Sequence, residues 1–305
     1  MNDMARRFSG VFTALVTPFR NGAVDFEAFD ALVERQLAAG VAGLVVIGTT
    51  GEAATLDDDE AHALIRRAAD LSAGRALVMA GVGANDTRKA AQKAESAEKA
   101  GADALLVVTP YYNRPTQAGL MAHFSTVARA TSLPVMLYSV PARCGVEIAP
   151  ETCAALMDRH ANIVAIKEAG GNPGRVTQLR RACGERLIIH SGDDALTLPF
   201  LSLGASGVTS VVSNIAPGGM VRMVEAWKRG DIAQALALND AMAELTEGMF
   251  IESSPGPVKA ALAISNLAGP ELRLPMVPVS DANRERLAGI LGRYQKAAAS
   301  FQEMR

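Results

Sequence analysis

Lys167 stands inside the apolar run Ile163-Val164-Ala165-Ile166-Lys167-Glu168-Ala169. A lysine in a strand covered on both faces is costly as an ammonium. Burial favours the neutral amine, and a neutral amine attacks carbonyl carbon to form a Schiff base. The plainer reading is a lysine paired with a buried acid, or one whose head reaches water past the strand end. Glu168, the next residue, points to the opposite face of the strand and is not an obvious partner.

Other residues with chemical capacity surround it in the sequence. Tyr138 ends the run Pro134-Val135-Met136-Leu137-Tyr138, where it either fills a core or carries protons between reacting groups. Gly48-Thr49-Thr50-Gly51-Glu52 offers backbone N–H groups and two hydroxyls, suited to a carboxylate or an oxyanion, or forms an ordinary polar turn. Tyr111-Tyr112-Asn113 reads as an interface anchor or a catalytic loop. Arg143 suits bidentate capture of a carboxylate, or is a plain surface arginine. In Ser191-Gly192-Asp193-Asp194 the acids suggest a metal site or a helix N-cap, and the helical pattern that follows favours the cap. His62, His123, His160 and His190 lack metal-ligand spacing.

These residues need a scaffold that brings strand ends together. Eight apolar runs, at 11–17, 43–48, 76–82, 104–109, 134–140, 163–169, 187–191 and 207–213, alternate with amphipathic stretches such as 26–39, 59–72, 87–100, 117–131 and 150–159. The runs are nearly continuous rather than alternating, as strands of a parallel sheet buried on both faces must be. Gly40, Gly74, Gly101 and Gly184 fall where helix C-caps belong. The expected fold is an α/β (β/α)8 TIM barrel spanning 1–230, with a C-terminal helical extension over 231–305 packed on it. A doubly wound open sheet is the alternative. It would usually place a glycine-rich dinucleotide turn after its first strand, and Thr13-Ala14-Leu15-Val16-Thr17-Pro18-Phe19 has none. In a TIM barrel the chemistry sits at the C-terminal strand ends, where every candidate above falls. The loops after the last two strands are not phosphate cradles, which disfavours a sugar-phosphate enzyme.

Composition narrows the function classes. At 305 residues and 49% hydrophobic content the chain can bury a core without disulfides or metals. A net charge of −2 with both signs spread along the chain gives no basic stripe for nucleic acid. The three cysteines match no zinc or disulfide spacing, which suggests reduced thiols. The first residues lack the apolar stretch of a secretory signal, and no run is long enough for a membrane span. A cytoplasmic location is expected.

Taken together, these motifs resemble the dihydrodipicolinate synthase family of class I pyruvate-dependent aldolases, from about Gly10 to Pro278. The matching pieces are Gly48-Thr49-Thr50-Gly51-Glu52, Val108-Thr109-Pro110-Tyr111-Tyr112-Asn113-Arg114-Pro115, Leu137-Tyr138 with Val140-Pro141 and Arg143, Ile166-Lys167-Glu168-Ala169, and Ser191-Gly192-Asp193-Asp194. They occur in family order and spacing.

The resemblance implies that Lys167 forms an imine with pyruvate. It implies that Tyr138 relays protons, hydrogen-bonded to Thr49 and to Tyr112, the latter reaching into the site of a neighbouring subunit. The backbone of Thr49 and Thr50 would bind the pyruvate carboxylate, Thr209 would face pyruvate by its main chain, and Gly192 would line the pocket. Arg143 would receive the carboxylate of L-aspartate 4-semialdehyde. The implied assembly is a homotetramer of tight dimers. No metal or organic cofactor is implied, since the protonated imine is itself the electron sink.

The chain departs from the family pattern in places. Ser139 stands where many members have Asn, and Ser254 and Gly256 where the synthases read Asn-Pro-Ile-Pro. Lysine-inhibited members carry His at the positions of Asp58 and Ala61 and Glu at Lys89, while Asn85 and Tyr111 are retained. Lys89 would repel an effector's ammonium groups, so feedback by L-lysine is expected to be weak or absent. Two other readings remain at this point. One is a lyase for 2-keto-3-deoxy sugar acids or sialic acid using the same lysine, against which Glu168-Ala169 speaks. The other is a silent ligand-binding paralogue, which has no need of a buried lysine beside a proton relay.

Overall fold

The computed structural model describes residues 3–303. The eight apolar runs are eight parallel strands: β1 (Gly10–Ala14), β2 (Gly43–Val46), β3 (Leu77–Gly81), β4 (Ala104–Val108), β5 (Val135–Ser139), β6 (Ile163–Glu168), β7 (Ile188–Ser191) and β8 (Gly207–Ser210). Each pairs with the next, and β1 pairs with both β2 and β8, so the sheet closes into a barrel. The open-sheet alternative is thereby excluded. Closure leaves no strand edge exposed, and both faces of every strand are covered, which is why the runs read as unbroken apolar sequence.

Between the strands lie α1 (Phe26–Ala38), α2 (Asp58–Ser72), α3 (Thr87–Lys99), α4 (Gln117–Arg129), α5 (Pro150–Arg159), α6 (Gly174–Cys183) and α7 (Thr197–Ser202), and α8 (Pro217–Lys228) follows β8. Their starts are fixed by local chemistry. Asp57 and Glu60 form a reciprocal capping box on α2, and Asp86 and Thr116 cap α3 and α4 through their side chains. Each such cap contributes about 1 kcal/mol. Gly40 and Gly101 follow α1 and α3 with φ of 78° and 95°, a conformation that side-chain-bearing residues rarely adopt.

Two apolar layers result. Alternate residues of each strand point outward under the helices, among them Leu44, Val78, Leu137 and Ile166. The others point inward and fill the barrel: Phe12, Met79, Leu106, Met136, Ala165 and Ile188. Phe8 joins this inner cluster, and its carbonyl accepts a hydrogen bond from His190 Nε2. The period of two has a direct consequence for the site. Tyr138 pairs with Lys167 across β5 and β6, and Lys167 with His190 across β6 and β7, so all three lie on the inward face of one row.

Three further helices, α9 (Ile232–Gly248), α10 (Gly256–Ile264) and α11 (Asp281–Glu303), make the C-terminal extension. Helix α9 packs on α8, and α11 packs on α9 and α10. Gly219 allows the α8–α9 contact, since a Cβ there would lie 2.8 Å from Met242 Sδ. Leu238, Met242, Leu245, Leu287 and Ile290 belong to the same buried cluster as the barrel's outer layer. A small hairpin, Phe19–Arg20 with Ala23–Val24, follows β1. No helix among the described residues is long and apolar enough to cross a membrane. Cys144, Cys153 and Cys183 are free, buried thiols.

Candidate active site

A cavity of about 430 Å³ opens at the C-terminal ends of the strands. Lys167 from β6, Tyr138 from β5, Thr49 and Thr50 from the turn after β2, Arg143 from the helical turn after β5, and Gly192 from the loop after β7 all line it. Six of the eight residues singled out in the sequence therefore share one space.

Lys167 is buried, and its Nζ lies 4.3 Å from the centroid of the Tyr138 ring. Among the described residues it has no carboxylate partner. Glu168 faces away, as the strand alternation requires. Its carboxylate accepts from Gly170 N at 2.8 Å and meets Arg175 at 3.5 Å. Burial pushes the Glu168 pKa up, and Arg175 works against that rise. The plainer reading of Lys167, a structural lysine with a buried acid, thus does not describe it.

The turn after β2 is built to present N–H groups. Ile47 and Glu52 bracket it with φ of 48° and 54°, both in the left-handed region that disfavours non-glycine residues. Glu52 N donates to Thr49 O, Ala53 N to Gly48 O, and Thr17 Oγ1 to Gly51 O at 2.7 Å. The N–H groups of Thr49 and Thr50 find no acceptor among the described residues. Successive unpaired amides of this kind form an anion-binding concavity.

Gly192 has a steric reason to be glycine. A Cβ there would lie 2.6 Å from Ala169 Cβ and 3.0 Å from Lys167 Cε, and so would crowd the lysine stem. Asp193 caps the following turn by accepting from Ala195 N at 3.0 Å, as the sequence suggested. Asp194 is buried and accepts from Val211 N and Val212 N, fixing the residue that ends the cavity wall at β8. Burial raises its pKa.

Two predicted residues lie elsewhere within the single chain. Tyr112 is 91% exposed, at φ 74°, on the loop after β4. Tyr138 has no hydrogen bond to Thr49 or Tyr112 among the described residues, and Tyr112 projects away from its own barrel. Thr209 is wholly buried below the cavity, where its hydroxyl meets His190 Nδ1 at 3.2 Å. His190 Nε2–H donates to Phe8 O, which leaves Nδ1 as the acceptor when the imidazole is neutral. Burial lowers its pKa to about 4.

Other lining residues escaped the sequence reading. Thr246, Glu247 and Phe250 reach the cavity from the end of α9, and Ser254 from the approach to α10. Only Ser254 carried a signal, through the turn-forming Ser253-Ser254-Pro255-Gly256-Pro257. Among the described residues no cluster of His, Cys, Asp or Glu has a metal-holding arrangement.

The chain and its fold match those of known proteins. The model of the dihydrodipicolinate synthetase family matches residues 7–293. The chain is similar to the 4-hydroxy-tetrahydrodipicolinate synthase of Magnetococcus marinus, 48% identical over 92% of this chain and 96% of that one. It is likewise similar to that of Nitratidesulfovibrio vulgaris, 46% identical over 93% and 98%. The solved 4-hydroxy-tetrahydrodipicolinate synthase of Methylacidiphilum fumariolicum superposes with a TM-score of 0.95 at 44% identity, covering 97% of this chain and 99% of that one. The chain belongs to the dihydrodipicolinate synthetase family and is an enzyme of its Schiff-base-forming, pyruvate-dependent lyase class.

Proposed function

We propose that this enzyme condenses pyruvate, held as an enamine on Lys167, with L-aspartate 4-semialdehyde to give 4-hydroxy-tetrahydrodipicolinate, in the synthesis of diaminopimelate and lysine. One observation carries the reading. Among the described residues, a buried lysine without a carboxylate partner stands beside a tyrosine of the adjacent strand, in a cavity also lined by a turn with unpaired N–H groups.

The steps follow from residue chemistry. The Lys167 amine adds to the ketone carbon of pyruvate, whose carboxylate accepts from Thr49 and Thr50 N–H. The carbinolamine loses water to an iminium, and Tyr138 carries the protons that leave and arrive. The iminium draws electrons from the adjacent methyl group, which loses a proton to give the enamine. The enamine carbon attacks the aldehyde carbon, and the aldehyde oxygen takes a proton. The acceptor's own amine then adds to the imine carbon, closes the ring and expels Lys167. Arg143 holds the acceptor's carboxylate, Gly192 leaves room for the lysine stem, and the main chain near Thr209 faces bound pyruvate. Tyr112 completes the proton relay of a neighbouring subunit in a tetramer built from dimers, for which its exposure leaves it free. The enzyme works in the cytoplasm.

Feedback by L-lysine is absent in this reading. Asp58, Ala61 and Lys89 line a second cavity of about 420 Å³, together with His62 and Lys93. Lys89 repels the effector's ammonium groups where inhibited members supply a glutamate.

The acceptor is tested by offering pyruvate with L-aspartate 4-semialdehyde and with a panel of sugar-derived aldehydes. Turnover with the semialdehyde, and a raised KM for it alone in Arg143→Ala, is the expected result. Preference for a sugar aldehyde would transfer the enzyme to the other branch of its family.

A further inference from the structure

The turn that carries Thr49 and Thr50 is held from an unexpected direction. Its last residue, Glu52, is buried with its backbone in the left-handed region. Such a conformation persists only where the surroundings over-determine it. Here the surroundings come from the C-terminal extension, more than two hundred residues later in the chain. Glu52 Oε1 meets Lys259 Nζ of α10 in a buried ion pair. Glu52 Oε2 accepts from Arg273 N at 3.1 Å.

Both partners are themselves fixed. Lys259 Nζ donates to Glu271 O at 2.8 Å and lies 4.2 Å from the Phe19 ring centroid. Arg273 donates to Thr55 O at 2.8 Å and holds Glu60 at the start of α2 by a two-pronged contact. Its guanidinium carbon lies 4.4 Å from the Phe19 ring centroid. The turn is thus clamped at Glu52 and again just beyond it at Thr55. Burial lowers the Lys259 pKa, and Glu52 opposes that fall.

A buried ion pair is a poor way to gain stability alone, because apolar residues of equal volume do as well or better. Its advantage is direction: a carboxylate held by two donors fixes its own backbone, which apolar packing does not. The same helix approach brings Ser254 to the cavity, so the α10 region both lines the site and pins the turn after β2.

We propose that Lys259 is a positioning residue which, through Glu52, aims the Thr49 and Thr50 N–H groups at the substrate carboxylate, so that the C-terminal extension sets the affinity for the keto acid. This rests on the reading that the turn receives the carboxylate of pyruvate. Lys259 touches neither substrate nor Lys167.

The test compares Glu52→Gln/Lys259→Met, which removes both charges and leaves none orphaned, with Lys259→Met and Lys259→Arg. Fold is followed by circular dichroism, and kcat and both KM values by steady-state kinetics. Borohydride trapping of wild type with pyruvate is done first. The double variant should stay folded, raise the KM for pyruvate by roughly ten-fold or more, and keep kcat and the aldehyde KM within about three-fold. Lys259→Arg should recover most of the pyruvate KM. If wild type traps pyruvate and the folded double variant keeps the wild-type KM, the positioning role fails and the pyruvate reading stands. If kcat and both KM values worsen together with melting temperature, Lys259 is structural only. If wild type traps no pyruvate, both readings fall.

Discussion

Lys167 and Tyr138 are register partners on adjacent barrel strands, with the lysine nitrogen 4.3 Å from the tyrosine ring centroid. The relationship follows from the two-residue period: a one-residue slip of either strand would send one of them under the helices. A cation over the ring face is stabilised by the ring quadrupole, and a neutral amine there sits beside a group able to move protons.

Tyr138→Phe keeps the ring and its packing but removes the proton carrier. The variant is expected to fold as wild type and lose roughly 10²-fold or more in kcat, since a positioned acid–base group contributes on that scale. Pre-steady-state measurement should show slower imine formation. An unchanged kcat would remove Tyr138 from the mechanism.

Gly192→Ala tests how tightly the lysine stem is housed. The added methyl would press on Ala169 and on Lys167 Cε. Overpacking of this kind costs about 1–3 kcal/mol and should displace the amine. Thermal denaturation should show a lowered melting temperature, and trapping with pyruvate should slow. Wild-type rates in Gly192→Ala would mean that the lysine has slack.

His190 gives a pH dependence of stability with a defined sign. Its folded pKa, lowered to about 4, lies below the unfolded value near 6.5. Between those values the unfolded chain takes up a proton that the folded chain refuses. Its contribution to stability therefore falls as pH drops from about 6.5 towards 4, by up to about 1.4 kcal/mol per pH unit. Urea denaturation across this window should show a shallower acid-side loss in His190→Gln than in wild type. Parallel profiles would contradict the buried neutral imidazole.

The second cavity predicts indifference to L-lysine. Activity in a coupled assay should be unchanged by millimolar L-lysine. Strong inhibition would show that Lys89 does not repel the effector.

Much of this was legible before the structure. The strands could be read because both of their faces are apolar, and the helix starts because Asp57, Asp86 and Thr116 sit at their caps. The hairpin after β1 is too short for the apolar pattern to reveal, and only Asn21-Gly22, with φ of 54° and 80°, marks its two-residue turn. Thr246, Glu247 and Phe250 were invisible because nothing in a helical sequence says which end leans over a cavity. Lys259 is the sharper lesson. The burial argument that singled out Lys167 applies equally to a lysine in the apolar stretch Gly256–Ile264. Only three-dimensional pairing separates them: Lys259 meets Glu52, and Lys167 meets no acid among the described residues. Sequence periodicity finds buried lysines; it does not show which of them has an acidic partner.

The most direct measurement is borohydride reduction of the enzyme with pyruvate, followed by peptide mass spectrometry. The expected result is a single pyruvate-derived adduct on Lys167, absent in Lys167→Ala, with Lys259 unmodified. An adduct on another lysine, or none on Lys167, would contradict the imine at the centre of the mechanism.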